Sequence, residues 1–250
     1  ICGDPNQVPE PAAAATARAR AQLRLAEMYS DAAMEPEQAA QALRDLFVAV
    51  DALPPEVQPP PDLLRVARFR LVQELYLLGR YSEARAEIDD LIEQAVSPPP
   101  GAAAGSQAPP EELARYYDYL GRIQEAMGEG PAAQRSYRRA VDLDQAFALP
   151  ALALARRAVG AGDRPQAETL IREALGQAAR RGDPREELLL LRGVARILAP
   201  VDTAGAVAAY RRAIQQTTAQ LAEEARLQAT LGATTAEAAE ALETGGAPVV

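Results

Sequence analysis

Prolines divide this chain into alanine-rich segments that have the lengths of single helices. Proline breaks a helix interior but is tolerated in the first helical turn. Most of the 20 prolines lie at the edges of segments rich in Ala, Leu, Arg and Glu, which favour helices. Because no alternating run of β-branched residues appears, the predicted fold class is all-α. The predicted helices are 12–30, 36–52, 62–79, 81–96, 110–128, 131–144, 148–161, 164–181, 184–199, 203–230 and 235–243.

Several helix ends carry recognisable turn chemistry. Glycine just after a helix often takes the left-handed conformation, and this is predicted for Gly79, Gly128, Gly162 and Gly182. Asp163 stands three residues before Gln166, a spacing typical of a capped helix start. These signals predict short turns between paired helices.

Three segments repeat the same arrangement of large, small and aromatic positions. They are Leu71-Val72, Leu75, Gly79, Tyr81, Ala84 and Ile88; Leu120-Gly121, Gly128, Ala133, Tyr137 and Ala140; and Leu154-Ala155, Gly162, Ala167, Ile171 and Ala174. The arrangement resembles tetratricopeptide repeat proteins, whose unit of about 34 residues is a pair of antiparallel helices. The chain departs from that pattern in having no Trp and irregular spacing. The resemblance implies an α-solenoid of about five antiparallel helical hairpins, with 235–243 as a C-terminal capping helix.

The predicted domain organisation follows from the same punctuation. Residues 1–11 are interpreted as a flexible N-terminal tether and residues 244–250 as a flexible C-terminus. The repeat domain spans 12–243 and contains proline-rich loops at 53–62 and 97–110.

Composition restricts the chemistry more than the fold. The chain has no His and no Lys, its one Cys is Cys2, and its net charge is −9. It therefore lacks the usual acid–base group at neutral pH, the Schiff-base nucleophile and a thiolate metal cluster. Scattered arginines within an acidic chain also disfavour nucleic-acid binding. We predict no catalytic residues, no metal site and no cofactor, and therefore a non-enzymatic protein.

The resemblance also implies a binding face, because the first helix of each hairpin lines the inner surface of such solenoids. The carried-over register predicts exposure of Val66, Phe69, Gln73, Tyr76, Arg115, Asp118, Arg122, Glu125, Leu152 and Arg156. From these, the predicted partner-binding residues are Phe69, Gln73, Tyr76, Arg115, Asp118, Arg122 and Arg156. Apolar groups beside arginines suit a peptide of a protein partner that carries an apolar anchor and a carboxylate. Alternatively, Phe69 and Tyr76 pack under the 53–62 loop.

The stretch 115–122, RYYDYLGR, concentrates three tyrosines. We place Tyr117 in the repeat core and the other two at a rim or interface. The alternative is a surface on which bases or sugars stack.

Cys2 followed by a polar, proline-bearing stretch resembles the mature start of a bacterial lipoprotein, although Ile1 before it departs from that pattern. The resemblance implies acylation of Cys2 and a scaffold or adaptor tethered in the cell envelope, facing the periplasm. An incidental thiol is the alternative interpretation. The chain would then be a cytoplasmic regulatory helical-repeat domain, part of a larger sensor or transcription regulator.

Overall fold

The computed structural model describes residues 11–31, 34–97, 107–181 and 184–199, with 202, 204–209, 211, 212, 215, 218, 219, 222 and 226. Within these ranges the regular structure is helical and contains no β-strand. The helices are α1 (Pro11–Asp31), α2 (Pro36–Asp51), α3 (Pro61–Leu77), α4 (Tyr81–Val96), α5 (Pro110–Ala126), α6 (Gly130–Leu143), α7 (Ala148–Gly160), α8 (Arg164–Arg181) and α9 (Pro184–Leu198), with a short 3-10 turn at Pro55–Val57.

The all-α prediction is confirmed. The predicted ends of these helices differ from the observed ones by at most two residues. Within the predicted helix 203–230, the described positions from 204 onward are helical. Several predicted features lie outside the described residues: the capping helix at 235–243, residues 1–10 of the 1–11 tether with Cys2, most of the 97–110 loop, Gly182, and the C-terminus at 244–250. Pro11, the last residue of the predicted tether, is the first residue of α1.

The chain divides into two compact units, Ile1–Pro150 and Ala151–Val250. The boundary falls in the first turn of α7. The prediction of one continuous repeat domain over 12–243 stays a prediction.

The first unit stacks three antiparallel hairpins. Helices α1 and α2, α3 and α4, and α5 and α6 pair most closely; α2 also packs on α3, and α4 on α5. The first helices also meet directly, α1 with α3 and α3 with α5. Their shared core includes Leu43, Leu46, Leu75, Ile88 and Leu91, all almost fully buried. This arrangement is that of a helical-repeat solenoid, in which each hairpin buries its apolar face against the next.

The predicted glycine turns are confirmed at three hairpins. Positive φ angles occur at Gly79 (72°), Gly128 (80°) and Gly162 (79°). In the first of these turns, the Gly79 N–H donates to the Tyr76 carbonyl at 3.0 Å and the Arg80 N–H to the Leu75 carbonyl at 2.9 Å. The other two turns repeat both bonds. This is the Schellman arrangement, which satisfies the last carbonyls of the first helix and reverses the chain into the second.

Small residues lie where paired helices approach most closely. Ala84, Ala133 and Ala167 follow the three glycines at the same interval and are almost fully buried. Gly121 of α5 faces the ring of Tyr137 of α6 so closely that an added Cβ would lie 2.6 Å from Tyr137 Cε1. The small residues of the repeat pattern therefore lie at close helix crossings, as the family resemblance implied.

The second unit contains α8 packed on α9. The predicted cap at the start of α8 is confirmed, because the Gln166 N–H donates to Asp163 Oδ1 at 3.1 Å. Gly193 of α9 leaves room for Leu152, whose Cδ1 lies 3.0 Å from the position a Cβ would take. Glycine thus permits a close approach in this unit also.

Candidate partner-binding surface

The site is formed by one stripe of side chains on α3 and one on α5. On α3, positions 66, 69, 73 and 76 recur at three- and four-residue intervals and so share a face. On α5, Arg115, Tyr119 and Arg122 do the same. Because α3 and α5 are in contact, the stripes are adjacent. We call the set of Val66, Phe69, Gln73, Tyr76, Arg115, Tyr119 and Arg122 the α3–α5 surface.

Aromatic rings join the two stripes. The Phe69 ring centroid lies 4.9 Å from that of Tyr116 and 5.1 Å from that of Tyr119, the latter in a T-shaped arrangement. Tyr76 lies 6.1 Å from Tyr119 and 5.7 Å from Tyr81 at the start of α4. These distances are within the range in which aromatic pairs attract beyond simple burial. The rings hold one another in place and leave part of Phe69, Tyr76 and Tyr119 accessible.

Arg122 is fixed by two neighbours on its own helix. Its Nη2 lies 2.7 Å from Asp118 Oδ2, and its guanidinium carbon lies 5.0 Å from the centre of the Tyr119 ring. About a third of the Arg122 side chain, 34%, remains exposed. A cation stacked on an aromatic face and paired with a carboxylate is held in one orientation. Arg122 is therefore presented to a ligand without much further ordering.

Arg115, Gln73 and Val66 complete the surface. Arg115 is exposed, as predicted, and makes no ion pair among the described residues. Gln73 accepts a long hydrogen bond of 3.4 Å from Arg70 Nη1. Val66 is 51% exposed. The surface thus has an apolar side chain at one edge and a cation at another.

The predicted exposure of Asp118 is wrong. Its side chain is only 1% exposed, because α5 is rotated so that Tyr119 meets the α3 rings while Asp118 turns inward. Burial raises the pKa of the Asp118 carboxyl to about 6, although Arg122 opposes the shift. Asp118 therefore positions Arg122 and does not itself line the surface.

The assignment of Tyr117 to the repeat core is also wrong. Of the three tyrosines in the stretch 115–122, Tyr116 is the buried one, and Tyr117 is only partly buried and packs against the outside of the core. The Tyr116 hydroxyl donates to the carboxylate of Glu112, and burial raises the pKa of Tyr116. The same rotation of α5 explains both errors.

The predicted exposure of Leu152 is wrong as well. Leu152 is 6% exposed because it packs onto Gly193 in the second unit. Arg156 is exposed as predicted, and it too belongs to the second unit. Its role in partner binding stays a prediction.

Phe69 and Tyr76 are half-buried and not freely exposed. Their aromatic contacts are with tyrosines of α4 and α5. The alternative interpretation, in which they pack under the 53–62 loop, stays a prediction. Each ring therefore both packs and presents an edge. Tyr119 was predicted to lie at a rim or interface but was not among the predicted partner-binding residues, although its spacing of four from Arg115 and three from Arg122 could have indicated it.

A second buried carboxylate lies beside this surface. Glu74 of α3 is completely buried, and burial raises its pKa. Arg70 Nε lies 3.0 Å from Glu74 Oε1, and Arg70 Nη2 lies 2.6 Å from Asp31 Oδ1 at the end of α1. Arg70 thus links the first helices of two hairpins. Among the described residues, no group of three or more acidic or Cys side chains is arranged to hold a metal ion.

Similarity to solved structures agrees with this architecture. No protein-family model and no curated protein matches the chain. Several solved structures match the chain at 13–17% sequence identity, which bears on the fold alone. One is a candidate kinesin light chain of Podosopora anserina with nearly identical TPR-like repeats, with a TM-score of 0.57 and 16% identity over 85% of this chain and 99% of that one.

Two further structures agree. BtubC (BKLC) from P. vanneervenii has a TM-score of 0.58 and 17% identity over 84% of this chain and 91% of that one. A double mutant of MamA RS-1 has a TM-score of 0.51 and 13% identity over 81% and 96%. The fold is that of the TPR-like helical-repeat proteins.

Proposed function

We propose that this chain is a non-catalytic scaffold or adaptor that holds a peptide segment of a partner protein on the α3–α5 surface. The observation that carries the proposal is a row of contacting aromatic rings, Phe69, Tyr119 and Tyr76, with the Arg122 guanidinium stacked on the Tyr119 ring. Partly exposed aromatic residues and arginines that are already ordered are the residue types that dominate protein interfaces. Helical-repeat scaffolds use such surfaces for protein partners in general.

The chemistry of the surface defines the kind of segment that it would take. Arg115 and Arg122 offer planar donors that match a carboxylate. The ring edges of Phe69 and Tyr76 offer apolar area beside them. The favoured ligand is therefore an extended or helical segment with an apolar anchor next to an acidic residue.

Affinity capture with matched variants tests this proposal. Truncating Phe69 or Tyr76 would disturb packing, so the informative changes are Val66→Asp and Arg115→Glu, which alter accessible groups. Ala86→Asp with Arg138→Glu is the control, because both positions are exposed and the total charge change is identical to that of the Val66→Asp/Arg115→Glu pair. We expect the Val66→Asp/Arg115→Glu variant to lose a partner protein that wild type and this control retain, at unchanged melting temperature. Retention by all three proteins would contradict the proposal.

We further propose that the scaffold works in a bacterial cell envelope, attached through acylated Cys2. The support is the sequence around Cys2, whose polar, proline-bearing tether would hold the repeat away from a bilayer. Among the described residues, no helix has both the length and the apolarity needed to cross a membrane. Intact mass of natively purified protein tests acylation. An unmodified mass, or a Cys2→Ser variant that stays with membranes, would favour the cytoplasmic regulatory domain instead.

A further inference from the structure

A concave region lies at one end of the first two hairpins, at the end opposite the turns that join their helices. It is a groove of about 1090 Å³, lined by the first turns of α1 and α3, the last turns of α2 and α4, and the proline-bearing loop before α3. All of its lining residues are in the first unit. The groove is separate from the α3–α5 surface, with which it shares no residue.

The groove walls are largely apolar. Phe47, Leu64 and Leu91 contribute side chains, and Pro59 and Pro60 contribute the loop side. Small compact ligands typically occupy sites of about 300–1,000 Å³. The groove is near the upper end of that range and open to solvent, so it has room for a segment of polypeptide.

Three carboxylates that make no ion pair among the described residues line the same groove. Asp51, Asp90 and Glu93 are exposed, and they make no ion pair within the described part of the chain. Asp51 is the last residue of α2, and Glu93 lies in the last turn of α4. Neither helix has a basic residue in its last turn. Because the C-terminal end of a helix carries a partial negative charge, acids there are unfavourable unless a cation joins them.

Two of the three arginines in the groove are held by other groups. Arg65 is only 11% exposed and pairs with Asp62 at 2.8 Å and Glu112 at 3.4 Å. Arg68 stacks over the Phe47 ring at 5.3 Å and lies 3.8 Å from Glu87. Arg20, the third lining arginine, is exposed on α1. Two of the three therefore act as parts of the wall, and three carboxylates face one accessible arginine.

We propose that this groove binds a basic amphipathic segment of a protein partner, with apolar side chains on Phe47 and Leu64 and Lys or Arg side chains at Asp51, Asp90 and Glu93. The groove would therefore prefer a positively charged ligand, whereas the α3–α5 surface would prefer a negatively charged one. The two surfaces can therefore select two different segments. The proposal goes beyond the proposed function and does not depend on it.

A labelled synthetic helix of Leu and Lys, with Leu at the spacing of one helical face, is the probe. The same peptide with Glu in place of Lys is its counterpart. The test variant is Asp51→Asn with Glu93→Gln. The matched control is Asp142→Asn with Glu173→Gln, which removes the same two charges from exposed positions outside the groove. Ala17→Trp fills the groove without changing charge, and Ala86→Trp is its control on an exposed site elsewhere.

We expect the basic peptide to bind wild type, both controls and the Val66→Asp/Arg115→Glu protein equally well. Binding should weaken about tenfold or more, equivalent to about 1.4 kcal/mol, in the Asp51→Asn/Glu93→Gln and Ala17→Trp variants. Any of three results would overturn the proposal: no binding to wild type, equal weakening in the Asp142→Asn/Glu173→Gln control, or equal binding of the acidic peptide. The second result would show general attraction to an acidic protein.

Discussion

The ring of Tyr137 occupies the space that a side chain at position 121 would need, since a Cβ on Gly121 would lie 2.6 Å from Tyr137 Cε1. The equivalent pairs in the neighbouring repeats are Val72 with Ile88 and Ala155 with Ile171, at the same sequence interval. Among these three pairs, the smallest first-helix residue, Gly121, is therefore paired with the largest second-helix residue, Tyr137. The pairing shows how this repeat adjusts to a bulky tyrosine without separating its helices.

Replacement of Gly121 by Ala should therefore destabilise the protein despite the better helix propensity of Ala. Overpacking of this kind typically costs about 1–3 kcal/mol. Gly176→Ala in α8 is the matched control, because an added Cβ there meets nothing within 4 Å. It should stabilise by about 0.5–1 kcal/mol. Thermal unfolding of both variants tests whether the two substitutions change the stability in opposite directions. Stabilisation by Gly121→Ala would show that α5 and α6 are not in close contact at this position.

The turn between α5 and α6 should require glycine at position 128, because the backbone there has a positive φ angle. Gly128 has a φ of 80°, where a residue with a Cβ is strained by about 1–2 kcal/mol. Gly128→Ala should lower the unfolding free energy by that amount, and Gly128→Asn by less, because Asn tolerates this region better. Urea denaturation gives the values. Equal stability of the Gly, Asn and Ala proteins would refute the turn geometry.

The two buried alanines that follow the turns should not tolerate enlargement. Ala133 and Ala167 are 0% and 1% exposed, so Ala133→Leu and Ala167→Leu should each cost about 1–3 kcal/mol. Ala179→Leu on the exposed face of α8 should be nearly neutral. If both buried variants melt at the wild-type temperature, the assignment of these positions to close crossings is wrong.

Asp118 should make stability depend on pH in an unusual direction. Its pKa is raised from 3.8 to about 6 in the folded protein by burial, so the folded state binds this proton more tightly than the unfolded state. That contribution is fully present below about pH 4 and is lost as the pH rises through about 6. The loss is on the order of 3 kcal/mol.

The variant Asp118→Asn removes this titration while keeping a polar group near Arg122. Relative to the variant, wild type should become less stable between pH 4 and pH 7, as measured by urea denaturation at several pH values. Asp142→Asn, at an exposed site, should follow the wild-type pH profile. Parallel profiles for Asp118→Asn and wild type would contradict the buried setting of Asp118.

Local signals made the helices predictable from sequence. Proline and glycine act on their own backbone, so the ends of α4 and α8 coincide with the predicted ones. The rotation of a helix is not local in this sense. Whether Asp118 or Tyr119 faces α3 depends on where Phe69 lies, on a helix far away in sequence.

The burial of Leu152 and the groove could not be predicted from local sequence signals either. Burial of Leu152 depends on the missing side chain of Gly193, and the groove combines the ends of four helices with a loop. No single segment carries such information. The family resemblance supplied the first-helix face but not the exact setting of each side chain on it.

Site-specific photo-crosslinking tests the central claim, that the α3–α5 surface holds a partner protein. A photoreactive amino acid replaces Val66 or Arg115 in one set of proteins, and Ala86 or Arg138, exposed on second helices, in the other. After irradiation in cells, mass spectrometry identifies the adducts. We expect the first two positions to capture the same protein and the second two to capture none of it. Capture of that protein equally from Ala86 and Arg138, or from these two alone, would contradict the account.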